Sequence, residues 1–103
     1  MANVKVEFKV VAHNANKLFL TGSSNNLGAW NPDKAVECDF CDKCGKFSAS
    51  KMFKEGEVVE FKVLKDRTFD AVEKGAWGEE VANHSFVASK GLVVELEVLN
   101  FNN

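Results

Sequence analysis

Few residue types carry chemistry, and this chain spends few of them on a recognisable pattern. Its two histidines, His13 and His84, stand without a partner at motif spacing, and no GxSxG, HExxH, P-loop or GxGxxG occurs. The acids mostly alternate with lysine, as on a solvated face. Nothing in this inventory supports catalysis, so no enzyme and no cofactor are expected. Cys38, Cys41 and Cys44 form C-x-x-C-x-x-C with Gly45 behind them, the spacing of a metal knuckle. A structural zinc takes four ligands, and no fourth cysteine exists; His13 or His84 would have to arrive through the fold. The bland alternative is a hairpin with free thiols in a reducing compartment, Cys38 lying on a strand. A Cys41–Cys44 disulfide ranks below both, and no bound metal is expected.

The two tryptophans are the better candidates. Trp30 lies in Leu27-Gly28-Ala29-Trp30-Asn31-Pro32, and Trp77 lies between Gly75 and Gly78, ahead of Glu79, Glu80 and Asn83. Capping the end of a core would explain either one alone. Two, each in a loop of Gly with Asn or Glu, indicate a binding surface. The fitting ligand is a sugar: a pyranose stacks its C–H face on indole, and its hydroxyls need the donors and acceptors that Asn, Glu and Lys supply. Two tilted platforms suit a curved glucan.

The elements that must position these loops read as strands. Asn3 to Ala12 alternates Val4, Val6, Phe8 and Val10 with Lys5, Glu7 and Lys9, the period of a half-buried strand. A turn at 13–16 precedes a second strand, Leu18 to Thr21, and then the Gly- and Asn-rich loop 22–34. Ala35 to Phe40 and Lys46 to Phe53 follow. Glu57 to Lys65 points Val59, Phe61 and Val63 one way and Glu60, Lys62 and Leu64 the other. Phe69 to Glu73 reads as a short strand before the loop 74–83, and Ser85 to Ala88 and Leu92 to Leu99 complete the domain. Seven to eight short strands, and 14 Val against no Ile, predict an all-β, antiparallel, immunoglobulin-like β-sandwich in one domain spanning 1–103.

Composition removes other classes. The 103 residues carry a net charge of -2, with 13 basic residues mixed among 15 acids and no basic face, which argues against nucleic acid. No apolar run nears the ~20 residues of a membrane span, and no signal peptide is visible after Met1. Read as a native start, Met1 places the protein in the cytosol; for an excised domain that inference lapses. Nine Phe, two Trp and no Tyr supply the aromatics; Phe suits a dry core, and Trp suits an edge that meets water or a ligand.

Taken in order, these segments resemble the starch-binding domains of carbohydrate-binding module family 20. Leu18-Phe19-Leu20-Thr21-Gly22-Ser23 followed by Leu27-Gly28-Ala29-Trp30 resembles that family's early strand, its Gly-Ser and its Leu-Gly-x-Trp. Glu55-Gly56-Glu57 and Val59-Glu60-Phe61-Lys62-Val63 resemble its Gly-Glu turn and its Glu-aromatic-Lys-aromatic strand, and Trp77 to Asn83 resembles its Trp-Glu…Asn-Arg loop. The resemblance runs from Val4 to Leu99. It implies a non-catalytic sandwich that binds α-1,4-glucans such as starch, glycogen and cyclodextrins.

Carried over residue by residue, the family's first site would use Trp30 and Trp77 as platforms, with Lys62, Glu79 and Asn83 as polar contacts. Three departures accompany this. Gly78 intervenes before Glu79, His84 stands where the family has Arg, and Phe69 fills the Trp position in an alternative register of a longer loop; indole, the better platform, favours Trp77. The family's second site relies on a Trp and on Tyr residues. Here Phe47 occupies the strand position and Tyr is missing, so that site is expected to be weak or absent. The implied partners are an α-glucan and, in a longer context, a catalytic domain. The competing readings are a protein-interaction sandwich without sugar binding and a small metal protein built on the cysteine hairpin.

Overall fold

The computed structural model describes residues 2–13 and 15–101; of the turn expected at 13–16, Asn14 lies outside them. Ten strand segments are described: β1 (Asn3–Ala12), β2 (Phe19–Gly22), β3 (Val36–Glu37), β4 (Asp39–Cys41), β5 (Lys46–Lys54), β6 (Val58–Leu64), β7 (Glu73–Lys74), β8 (His84–Val87), β9 (Val93–Val98) and β10 (Asn100–Phe101). They form a four-stranded sheet in the order β4-β5-β1-β9, a second in the order β3-β2-β6-β8, and a small β10-β7 pair.

Alternation explains why the two larger sheets pack face to face. Val4, Val6, Phe8 and Val10 of β1 and Val59, Phe61 and Val63 of β6 are buried in one core. Each strand thereby removes its apolar face from water. Phe8 sits at the centre, edge-on to Phe61, Phe86 and Phe53 at ring-centroid distances of 5.4, 5.5 and 6.3 Å. Such T-shaped contacts set the positive ring edge against the negative face, at about 0.5–1.5 kcal/mol per pair beyond burial.

The structure corrects the expected strands in three places. The run Ala35 to Phe40 is not one strand: β3 pairs with β2 in one sheet and β4 with β5 in the other. The chain changes sheets at Cys38, whose N–H donates to the Leu18 carbonyl at 2.8 Å and whose side chain enters the core. The run Phe69 to Glu73 begins as a 3-10 turn, Phe69–Ala71, because the Thr68 hydroxyl caps it by accepting from the Asp70 N–H at 3.3 Å. Only Glu73 and Lys74 pair as a strand. Finally, β9 runs parallel to β1, matching Glu7 to Val93 and Ala12 to Val98. The free edge of β1 receives it after the rest of the chain has crossed, and a parallel pair requires such a long connection.

Candidate functional site

The predicted platform Trp30 is held by its backbone. Gly28, Ala29 and Trp30 occupy the left-handed region in succession, at φ of 82°, 51° and 65°. For a residue with a Cβ this conformation costs roughly 1–2 kcal/mol, so surrounding bonds must impose it. They are present: Gly28 N–H donates to Asn25 O at 3.1 Å, Ala29 N–H to Ser24 O at 3.0 Å, and Trp30 N–H to Gly22 O at 2.8 Å. The Ser24 side chain caps the 3-10 turn Asn25–Leu27, and the Thr21 hydroxyl donates to Leu27 O at 3.3 Å. Trp30 itself is half-buried, its backbone orientation set by β2.

The loop ties into β6 through Gly22, which pairs with Phe61 while Thr21 pairs with Lys62. The approach is so close that only glycine fits: a Cβ on Gly22 would lie 2.2 Å from the Glu60 carbonyl oxygen. Ser23 completes the contact, its N–H donating to Glu60 O at 2.8 Å and its hydroxyl accepting from Glu60 N–H at 3.0 Å.

The second loop meets the same stretch of β6. Lys62, half-buried on the strand face opposite Phe61, donates from Nζ to the Val81 carbonyl at 2.7 Å. An ammonium carries three donors, so two remain for a ligand. Asn83 donates from Nδ2 to Glu60 Oε1 at 3.2 Å. The loop base is thus fixed at Val81 and Asn83, while its outer part folds on itself. Gly75 N–H donates to Glu79 O at 2.9 Å, Gly78 N–H to Gly75 O at 3.0 Å, and Trp77 N–H to Glu79 Oε1 at 2.9 Å. Trp77 stands on this turn with 94% of its surface exposed. The Glu79 carboxylate works inside the turn, packed over Gly75 and gripping the Trp77 amide.

Around Glu60-Phe61-Lys62 the fold therefore gathers the Trp30 loop, Lys62, Asn83 and the base of the Trp77 loop. Phe69 lies beyond the bridge between Leu64 and Val72, past the end of β6, with its ring 43% exposed. Phe47 is a core ring, 3% exposed, and offers no face to a ligand; its neighbour Phe40, at 4.9 Å, is the exposed one. His84, at the family's Arg position, turns inward: its ring stacks on Phe61 at 5.1 Å, and Nε2 lies 2.5 Å from Oε1 of the buried Glu73. Glu73 Oε2 in turn accepts the Val63 N–H at 3.1 Å. Glu60, whose alternation with Lys62 looks like any solvated strand face in sequence, is bonded to both loops, through Ser23 and Asn83.

The cysteines do not come together as a knuckle. Cys38 is buried in the core, and burial pushes its thiol up to about 12, assisted by the charges of Asp39 and Glu37. Cys41 and Cys44, expected as free thiols, are joined by a disulfide across the turn between β4 and β5. Among the described residues no group of three or more His, Cys, Asp and Glu is placed to hold a metal.

Comparison with known proteins gives the same fold. The Starch binding domain family, carbohydrate-binding module family 20, matches residues 3–96. No curated protein sequence matches the chain. Among solved structures, the family 15 glucoamylase of Hypocrea jecorina superposes with a TM-score of 0.74 at 19% identity, over 100% of this chain and 18% of its own. The glucoamylase of Hormoconis resinae gives 0.73 at 18% identity, over 94% and 17%. The family 20 module of a maltotetraose-forming amylase from Pseudomonas saccharophila STB07 gives 0.68 at 23% identity, over 91% and 99%. The chain spans less than a fifth of either glucoamylase and nearly all of the isolated module. Matched by the family over residues 3–96 and folded as the two-sheet sandwich of these structures, this chain belongs to the starch-binding domains of carbohydrate-binding module family 20.

Proposed function

We propose that the surface around Glu60-Phe61-Lys62 is where this non-catalytic domain binds α-1,4-glucan, with Trp30 and Trp77 stacking on sugar rings and Lys62 and Asn83 bonding their hydroxyls. One observation carries the reading: two separate loops, each bearing a tryptophan, are anchored to the same three residues of β6. Trp30 supplies a fixed platform, and Trp77 offers an open ring. Glu79 acts on the sugar through Trp77, whose amide it holds. Phe69 is the runner-up for the second ring, since it too is exposed. Affinity is modest, because a shallow solvated groove desolvates little of its ligand.

The matched glucoamylases carry this fold within chains more than five times as long. By that likeness the domain holds an attached or associated glucan-acting enzyme against its polymer. Sedimentation with insoluble starch tests the site. The wild type is expected in the pellet and Trp30→Ala and Trp77→Ala in the supernatant. Wild type left in the supernatant sinks the function, and pelleting of both variants sinks the site. A shift of tryptophan emission on adding β-cyclodextrin checks the same contact in solution.

A further inference from the structure

The outer face of β6 presents Glu60 beside Lys62, and Glu60 has more bonds to the loops than its place on a solvated strand requires. Its backbone exchanges two hydrogen bonds with Ser23, at the root of the Trp30 loop. Its side chain accepts the Asn83 amide, at the root of the Trp77 loop, through Oε1. The residue is exposed, and its cross-strand neighbour on β8 is Ser85, also exposed. Oε1 is turned to Asn83, which orients the carboxylate head, and Lys62 stands two residues along on the same face of β6.

A carboxylate next to an ammonium is well matched to a sugar edge. Each hydroxyl is at once a donor and an acceptor. Lys62 supplies donors only, and Asn83 has one amide donor engaged by Glu60. A hydroxyl that accepts from Lys62 must still place its own hydrogen, and a carboxylate is the strongest acceptor for it. Residues i and i+2 of a strand lie roughly 6.5–7 Å apart on one face, within reach of adjacent hydroxyls for two flexible side chains.

Resting on the glucan site proposed above, we infer that Glu60 is a further sugar-binding and specificity-determining residue. One carboxylate oxygen positions Asn83 and the other accepts a glucose hydroxyl whose neighbour is held by Lys62. The loop bonds through the Glu60 backbone survive any side-chain change, so variants fold and the two halves of the role separate.

The experiment is titration calorimetry of the full chain with β-cyclodextrin, using wild type, Glu60→Gln, Glu60→Ala and Trp30→Ala, with a thermal midpoint for each. The amide oxygen of Glu60→Gln still accepts from Asn83 but has lost the charge. This variant is expected to keep the wild-type midpoint and to bind about tenfold more weakly, the scale of a charge-assisted hydrogen bond. Glu60→Ala, which also releases Asn83, is expected to bind more weakly still. Wild-type affinity in Glu60→Gln with loss in Glu60→Ala overturns the direct contact. Wild-type affinity in both overturns the inference, while loss in Trp30→Ala alone leaves the glucan site standing. A wild type that does not bind refutes the underlying reading instead.

Discussion

Gly22→Ala tests the mechanical claim that the Trp30 loop is seated on β6 by a contact with no room for a side chain. The added Cβ would lie 2.2 Å from the Glu60 carbonyl oxygen, 2.9 Å from Phe61 Cβ and 3.0 Å from Leu27 Cδ1. Two of these partners are fixed to the backbone of a central strand, and ordinary contact requires roughly 1 Å of retreat. The retreat pulls on two hydrogen bonds, Ser23 N–H to Glu60 O and Trp30 N–H to Gly22 O, both 2.8 Å. Overpacking costs about 1–3 kcal/mol, and each weakened backbone bond about 1 kcal/mol more, so the sum is about 3–5 kcal/mol. For a domain this size 1 kcal/mol moves the thermal midpoint by about 4–8 °C, which gives a fall of at least about 12 °C.

Gly56→Ala is the control for glycine chemistry as such. Gly56 has a φ of 86° and nothing within 4 Å of its added Cβ. The substitution costs only the left-handed conformation, about 1 kcal/mol or somewhat more. Its midpoint should fall by about 4–8 °C per kcal/mol, with starch binding unchanged at room temperature. Gly22→Ala, still folded there, should lose about tenfold in β-cyclodextrin affinity because its platform has moved. Scanning calorimetry and titration of both variants check this. Equal midpoints, or unaltered affinity in Gly22→Ala, would refute the argument that close approach positions Trp30.

Other parts of the molecule give sharper separations of stability from function. Trp77, 94% exposed, contributes little packing, so Trp77→Ala should change unfolding free energy in urea by less than about 0.5 kcal/mol while weakening glucan binding. Cys38 carries a thiol pushed from an ordinary 9.0 up to about 12 in the fold. The folded protein therefore keeps its proton where the unfolded chain has released it. Stability from this group is complete below about pH 9 and is lost between about 9 and 12, by roughly 1.4 kcal/mol per pH unit. Urea midpoints of wild type and Cys38→Ala should accordingly diverge at pH 8 and converge as pH rises above about 9. Glu73, 2% exposed, holds both the Val63 N–H and the His84 ring. Glu73→Ala should cost about 3 kcal/mol by leaving both without a partner, and Glu73→Gln, which retains an acceptor, clearly less; chemical denaturation distinguishes them.

Much of this fold is legible because alternation is a direct record of burial. Val4, Val6, Phe8 and Val10 could face one core only from an extended strand, and β1 keeps the expected bounds of Asn3 and Ala12. The departures arise where local pattern and tertiary partner disagree. Cys38 sits in an unbroken strand-like run, yet the chain leaves one sheet for the other there, which no period of two reports. Thr68 and Asp70 turn a β-like segment into a capped 3-10 turn by a bond between neighbours. The parallel pairing of β9 with β1 depends on which edge remains unoccupied, a property of the whole sheet. At the proposed site, Trp30, Lys62 and Asn83 are named by residue type and order alone, whereas Glu60 looks like any surface acid in sequence and stands out only through its bonds to Ser23 and Asn83.

The two tryptophans look equivalent in sequence, each in a glycine-flanked loop, and the fold makes them different. Trp30 has its left-handed backbone imposed by Gly22 and by the turn behind it. That strain is met during folding and need not be met again on binding, so the contact it makes is preorganised. Trp77 projects from a turn held by Gly75, Gly78 and the Glu79 carboxylate, with its ring free in water. Ordering such a side chain on a ligand costs about 0.5–1.5 kcal/mol, which subtracts from what its stacking contributes. On the proposed glucan site, Trp30 is then the residue expected to decide whether a glucose is held, and Trp77 the one expected to extend the contact along the chain and to tolerate variation in its curvature.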